Sequence, residues 1–386
     1  MLSSGRSAIV VTSWRGHASA VELALRAAAG ERARDAYVEL ARVLDADVFD
    51  NEYMETRATP VARALARRFG MFPGQVVEMF LRRNRYRHLV AWADRLGLPL
   101  ALMLKLVRAR RDLVLISVWL SRPQKAFFLK PLGVHSHLQA IINYGSVQME
   151  IAADRLGVPR EKLYLALQPV DEQFWQPTDD PPENSIVSVG WEARDYSTLV
   201  EAVEGLDLDV ELAVGSSVFA SSGEGTGSTD EVMRKIFADG PPPRVRIQTD
   251  LAQAELRRLY SRCRFVVVPL HDVDYDAGVT VLTEAMAMGK AVVVTRTRGQ
   301  IDLIRDGEEG IYVPPGDTPG LRKAITFLLE NPEEAERMGR AGRTRAEERH
   351  SLDSYVARLA AIVRGEVTES DAQARIRQLS SSTSSA

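Results

Sequence analysis

The 386-residue chain has one cysteine, Cys263, and only six histidines. One thiol cannot close an internal disulfide, and no Cys/His cluster stands at zinc-ligand spacing, so neither a disulfide framework nor a zinc module organises the fold. Cys263 lies in "LYSRCRFVVVPL", between a helical and a strand pattern, and reads as a small buried hydrophobe sooner than as a reactive thiol. Also missing is any apolar run of about 18 residues that could cross a bilayer. The opening "MLSSGRSAIVVTSW" lacks the basic segment and long apolar core of a secretory signal, so the expectation is a soluble, cytoplasmic protein. The net charge is -3, from 49 Lys+Arg and 52 Asp+Glu. With no basic excess and no nucleic-acid module, DNA and RNA are not expected partners. No repeat of fixed period and no heptad pattern occurs.

What is present is ordinary globular material, 45% hydrophobic and 26% charged, and too long for one comfortable core. Charge divides it. Up to Thr178 there are 25 Lys+Arg against 17 Asp+Glu, about +8, and beyond it 24 against 35, about -11. Either an anionic partner for the first half or a mere difference in solvation follows from this. Short β-rich runs alternate with helical patterns throughout, the signature of α/β units with parallel sheets. Strands are expected at "SAIVVTSW", "ADVFD", "RHLVAWA", "DLVLISVWL", "LQAIINYG" and "KLYLALQ". The pattern restarts at "NSIVSVGW" and runs through "DVELAVG", "RVRIQ", "FVVVPL", "AVVVT" and "GIYVP". Between the halves, the proline- and acid-rich "PVDEQFWQPTDDPPENS" reads as a linker. The expected organisation is a domain over 1–170, a linker over 171–184, a second domain over 185–350 and a helix over 351–366 that packs back on the first domain. The serine-rich end, 367–386, has too little apolar content to fold and is expected to be unstructured. The fold class is α/β, two Rossmann-like domains with parallel sheets facing an interdomain cleft.

One stretch carries chemistry: Asp276 to Thr295, "DAGVTVLTEAMAMGKAVVVT". The preceding "FVVVPL" is a strand, "HDVDYDAG" a loop at its carboxyl end and "VTVLTEAMAMG" a helix stopped by Gly289. Ligands of open α/β sheets bind at that loop position. Gly278 lets a ligand approach the backbone, and the free amides of Val279, Thr280 and Val281 form a positive helix end suited to a phosphate. Glu284, about one and a half turns in, could accept hydrogen bonds from vicinal ribose hydroxyls, and Asp276 could face hydroxyls beyond the phosphate. The bland alternative is an exposed helix glutamate and an ordinary turn aspartate.

From about Leu163 to Val363 the sequence resembles the carboxyl-terminal half of retaining GT-B glycosyltransferases of the large family four. The carrying residues are "TEAMAMGKAVVVT", "GQIDLIRDGEEGIYVPPGD", "LRKAITFLLENPEEAERMGRAGR" and the approach "LQPVDEQFWQP". The resemblance implies transfer of a sugar from a nucleotide diphosphate sugar to an acceptor, with retention and with neither metal nor cofactor. It implies donor contacts at Gly190 and Glu284, which joins the Gly278, Val279 and Thr280 helix end already read as a phosphate site; His271, which follows "VVVPL" at the ligand end of its strand, is a further donor-side candidate by position. Departures are visible. The first glutamate of the family's pair is Asp276 here, and the Gly-Phe-Gly that usually follows is Ala-Gly-Val. Of the basic pair that clamps the diphosphate, the first position is Trp191 and only Arg194 is a cation. Arg194 is expected to stabilise the departing diphosphate, and it can do so bidentately. Two other readings stay open: a GT-B nucleotide-sugar epimerase, and a degenerate member that binds a nucleotide sugar or partner without turnover.

The first half is less informative. After the first strand comes "SWRGHASAVELAL", where Arg15 and Gly16 could face the acceptor and His17 could take a catalytic part, or the loop could simply open a helix. His135 and His137 lack a third ligand nearby, and His88 looks like a strand start. The segment Arg67 to His88 mixes six arginines with Phe69, Phe72, Phe80 and Tyr86. It reads as a helix pair with solvated arginines, or as a surface that meets anionic lipid at the membrane periphery. The acceptor is left open between a lipid-linked and a small molecule.

Overall fold

Among the described residues, twelve runs of β-branched and apolar residues become twelve strands, in two parallel six-stranded sheets. The structure, a computed structural model, describes residues 6–11, 18–215, 237, 240–367 and 369–374. The first sheet holds β1 (Ser7–Val11), β2 (Ala46–Phe49), β3 (His88–Trp92), β4 (Asp112–Ser117), β5 (Ala140–Asn143) and β6 (Leu163–Leu165), in the order β2-β1-β3-β4-β5-β6. The second holds β7 (Ser185–Val189), β8 (Asp209–Val214), β9 (Val245–Thr249), β10 (Val266–Val268), β11 (Val292–Thr295) and β12 (Gly310–Val313), in the order β12-β11-β10-β7-β8-β9. Each strand expected from the sequence is present. They were legible because helices cover both faces of a parallel sheet, so β1, β7 and β10 are buried at every position and read as unbroken apolar runs.

The chain forms two compact units. One takes its described residues from Met1–Leu25, Asp35–Leu167 and Asp353–Ala386, the other from Arg26–Arg34 and Gln168–Leu352. Core leucines and alanines of the helix Asp94–Leu106 pack on Leu89, Leu113 and Ile141 in the first unit. In the second, the helices Tyr196–Val203 and Thr318–Glu330 share a core with Val210, Leu212, Phe265 and Val293. Each fully buried Leu, Ile, Val or Phe among these contributes about 1.5–3 kcal/mol. Among the described residues no helix is long and apolar enough to cross a membrane.

Two stretches are more ordered than their composition implies. The expected linker is packed: Phe174 and Trp175 are buried, Arg257 donates to the Phe174 carbonyl at 3.0 Å and Arg343 to that of Trp175 at 2.7 Å. Two aromatic anchors outweigh the surrounding prolines and acids. The expectation of an unstructured end from residue 367 fails over 369–374. There the Asp371 carboxylate accepts from Arg358 at 2.6 and 2.7 Å and from the Leu165 amide at 2.8 Å, and Ala372 is fully buried. One ion pair and one small side chain leave no apolar run for sequence reasoning to find. The rest of that end, 375–386, lies outside the described residues.

Candidate functional site

In the second unit the strand order reverses between β7 and β10, since β8 and β9 lie on one side of β7 and β11 and β12 beyond β10. Loops leaving the carboxyl ends of two such strands part and open a crevice, the position where open α/β sheets take ligands. The two loops here are Gly190–Asp195 after β7 and Pro269–Gly278 after β10. They are tied together: Asp195 N donates to Pro269 O at 3.1 Å, His271 N to Ala193 O at 2.9 Å, and Arg194 and Leu270 form an antiparallel bridge.

Arg194 is held inside this junction. Its Nε donates to Val189 O at 2.8 Å and its Nη1 to Glu192 O at 2.9 Å. Burial lowers its pKa, yet a guanidinium remains a cation at neutral pH. The two glycines beside it leave the space it occupies. Gly190 has φ +105° and a Cβ there would stand 2.6 Å from Arg194 Nη2. Gly278 has φ +77°, and its Cβ would stand 2.8 Å from Val268 Cγ1 and 3.4 Å from Arg194 Nη1. Gly278 also caps the helix Val279–Ala287. The cation therefore lies against the positive end of that helix. Of the three expected free amides, Val279 donates to Asp276 O at 3.4 Å, whereas Thr280 and Val281 donate to no protein acceptor among the described residues. A half-buried guanidinium and the positive end of a helix repel one another until an anion arrives between them.

Two carboxyls complete the arrangement. Glu284 lies on the same helix and is 5% exposed. Tyr260, from the helix Gln253–Arg262, donates to its Oε2 at 3.1 Å, and Oε1 has no hydrogen bond among the described residues. Burial raises the Glu284 pKa to about 8, with the Tyr260 bond opposing the shift. Asp276 sits ahead of the Gly278 turn, half-buried. Burial raises its pKa to about 6, its own backbone amide opposes, and the charges of Asp302 and Glu192 add to the rise. Carboxyl pKa values raised this far cluster at functional sites.

The expected residues thus divide by location. Gly190, Arg194, Asp276, Gly278, Val279, Thr280 and Glu284 come together on the loops and helix at this reversal. His271 stands at its rim, 64% of the side chain exposed, with Nδ1 3.8 Å from Asp195 Oδ2. Arg15, Gly16 and His17 lie outside the described residues. Sequence reasoning missed Tyr260, a buried helix position next to Leu259 that looks like any core aromatic. It also missed Tyr275, whose hydroxyl holds the Glu192 carboxylate at 3.1 Å, and Tyr196, whose hydroxyl donates to the Gly190 carbonyl. Nothing in their spacing marks these tyrosines.

In the first unit the segment Arg67 to His88 divides. Arg82 donates to the buried Glu78 at 2.9 Å, the Arg83 guanidinium stacks 4.1 Å over Phe80, and Tyr86 is buried against Asp47. These are structural contacts. Arg67, Arg68 and Phe69, at the end of the helix Pro60–Phe69, are exposed. His88 is buried at the amino end of β3, and His135 and His137 sit in the turn Val134–His137. Among the described residues no three His, Cys, Asp or Glu side chains converge as a metal-holding group.

Residues 186–345 match the family model described as "Glycosyl transferases group 1". Similar curated proteins include MMP alpha-(1->4)-mannosyltransferase of Mycolicibacterium hassiacum, 28% identical over 211 residues that cover 53% of this chain and 49% of that protein. Alpha-D-kanosaminyltransferase of Streptomyces kanamyceticus is 32% identical over 175 residues, 44% of each chain. The matched stretch spans about half the length of these curated relatives. Among solved structures, sucrose-phosphate synthase from Thermosynechococcus elongatus superposes with a TM-score of 0.67 at 16% identity, covering 93% of this chain and 98% of that one. Anabaena HepE in complex with UDP and glucose gives a TM-score of 0.64 at 16% identity, over 92% and 99%. The fold is that of GT-B glycosyltransferases, as the sequence resemblance implied.

Proposed function

Because residues 186–345 form a group 1 glycosyl transferase domain on a GT-B fold, we propose that the protein transfers a sugar from a nucleotide diphosphate sugar to an acceptor, using the site between β7 and β10. The observation that carries this reading is the half-buried Arg194 guanidinium packed between Gly190 and Gly278, at a helix end whose Thr280 and Val281 amides are open. The diphosphate would take the cation and the amides. Glu284 Oε1, with Oε2 held by Tyr260, would accept from the ribose hydroxyls. Asp276, ahead of the turn, would meet hydroxyls of the donor sugar, and His271 stands at the rim of the same site.

The mechanism follows from charge. As the bond from the anomeric carbon to phosphate breaks, negative charge grows on the leaving diphosphate, where Arg194 and the helix amides are already oriented to receive it. In the proposed retaining route the acceptor hydroxyl attacks from the side the diphosphate leaves, and a leaving phosphate oxygen takes its proton. Leaving-group stabilisation is then supplied by Arg194 and the amides rather than by a metal ion.

Thermal unfolding against UDP, GDP, ADP and dTDP, with and without their common sugars, tests the reading. A ligand at about a hundred times its dissociation constant adds about 2.7 kcal/mol to stability, a clear rise in melting temperature. One responding base is expected. No response to any of them would leave a partner-binding protein without a donor site.

The acceptor side of the proposal rests on the helix Pro60–Phe69. Its small residues, Ala62 and Ala66, face inward against Gly74. Its larger ones, Val61 and Phe69, point outward at 59% and 64% exposure, beside Arg67 and Arg68. Apolar side chains set among arginines fit an anionic lipid surface, and with it a lipid-linked acceptor. Sedimentation with vesicles containing anionic lipid should carry the protein down, and Arg67→Glu combined with Phe69→Ser should release it. Equal sedimentation of both proteins would remove the membrane from the proposal.

A further inference from the structure

At the carboxyl end of β7 stands an aromatic side chain that the fold does not use. Trp191 is 40% exposed. Among the described residues its ring meets no aromatic or cationic partner and its Nε1 donates to nothing. A lone exposed apolar residue needs no explanation on a mobile loop, but this one is displayed by a rigid turn. The Gly190 carbonyl before it accepts from the Tyr196 hydroxyl. After it, Arg194 Nη1 holds the Glu192 carbonyl at 2.9 Å and Tyr275 holds the Glu192 carboxylate at 3.1 Å. Ala193 is bent to φ +56°, a conformation costly for any residue but glycine, and His271 N pins its carbonyl at 2.9 Å. Strain held in place by this many bonds at a strand end belongs to ligand-binding loops more often than to scaffolding.

Resting on the glycosyltransferase reading, we propose that Trp191 is the platform on which the donor's sugar ring stacks, and that it sets the preference for a nucleotide sugar over the free nucleotide. One turn carries both residues, with Arg194 N donating to the Trp191 carbonyl at 3.4 Å, so a group attached to a phosphate at Arg194 would pass beside the segment that displays the indole. One face of a pyranose is a patch of C–H groups, which pack on the electron-rich face of an aromatic ring. A second cation at this position would bind phosphate in nucleotide and nucleotide sugar alike. A neutral flat surface adds affinity only when the sugar is there.

Calorimetric titration with UDP and UDP-glucose, and in parallel with GDP and GDP-mannose, separates the possibilities. Trp191→Ala should weaken the responding nucleotide sugar by about tenfold and its free nucleotide by less than about twofold, and Trp191→Phe should recover most of the loss. Because the side chain is exposed, the melting temperature of both variants should stay near that of the parent. Indole fluorescence should be quenched by the nucleotide sugar in the parent and not in Trp191→Phe. Equal losses for nucleotide and nucleotide sugar would mean that Trp191 contacts base or phosphate, and no loss in either would mean that it contacts neither; each result overturns the proposal. If the parent binds no nucleotide of any kind, the glycosyltransferase reading itself falls, and this inference with it.

Discussion

The two units share a parallel α/β plan, and each sheet reverses its strand order once: between β1 and β3 in the first, between β7 and β10 in the second. At the first reversal the described side chains bond the scaffold, although Gln75 Oε1 is buried there without a partner. Gln75 Nε2 bonds the carbonyls of Val11 and Phe49 at 2.8 Å each, and Asp50 accepts from the amides of Ala20 and Tyr53. At the second, groups are held in place without a protein partner among the described residues: one oxygen of Glu284, two helix amides and the Trp191 ring. Groups fixed by the fold at a crevice and not engaged by it are available to a ligand. Further unpartnered groups of the first unit lie away from its reversal. Ser117 Oγ and Asn143 Oδ1, buried without partners, are register partners at the carboxyl ends of β4 and β5.

The strongest way to break this contrast is to close the second crevice. Gly278→Val should raise a side chain into Val268 Cγ1 and toward Arg194, while forcing a β-branched residue to φ +77°. Nucleotide affinity should fall by more than about a hundredfold, because the turn must shift the helix amides or the guanidinium. Gly205→Ala carries the same kind of backbone penalty, at φ +75° with nothing within 4 Å, and is the control. It should lower stability by about 1 kcal/mol and leave the dissociation constant unchanged. Comparable loss of binding in both variants would mean that the Gly278 turn has no special part.

What could be read from the sequence follows the same division. A phosphate-binding helix end needs a glycine and free amides, and a carboxylate a turn and a half further on suits the ribose hydroxyls, so the Gly278 turn and Glu284 were visible in one short stretch. The depth of Arg194 was not, because its burial depends on Gly190, Gly278 and Val268 arriving from two loops and β10. Tyr260 was hidden for a related reason: its ring packs 5.8 Å from Trp175 like any core aromatic, and only its hydroxyl serves Glu284. In the first unit, arginine content alone did not separate Arg82, bound to Glu78, from the exposed Arg67. Composition reports how many charges there are, and tertiary structure decides which are already used.

A smaller effect sharpens the electrostatic side. Burial holds the Glu284 pKa near 8, above that of a free carboxyl. A raised acid pKa means the folded state keeps a proton that the unfolded chain releases. The contribution of Glu284 to stability is therefore fully present below about pH 4.5 and is lost as pH rises toward 8. Ribose hydroxyls favour the carboxylate, so binding should run the opposite way. Affinity should increase with pH by up to about tenfold per unit between pH 6 and 8, with a proton released on binding. Asp276, raised to about 6, contributes only at the low end of that window. Titration in buffers of different ionisation enthalpy measures the proton, and Glu284→Gln should remove most of the slope. A slope that survives the substitution would assign it to Asp276 or to the phosphate instead.

The smallest expected effect concerns the first unit. Ser117 Oγ is buried with no partner, so Ser117→Ala removes an unsatisfied hydroxyl, and stability should hold or rise by up to about 1 kcal/mol in denaturant unfolding. Donor affinity should not change, since Ser117 belongs to the other unit. A loss of more than about 1 kcal/mol would show that the hydroxyl is paired through ordered water and is part of the scaffold. The informative case is a variant that is as stable as the parent and binds nucleotide as well, yet transfers sugar more slowly. The unpaired groups of β4 and β5 would then stand to the acceptor as Glu284 stands to the donor, and the difference between the units would be one of position in the sheet, not of purpose.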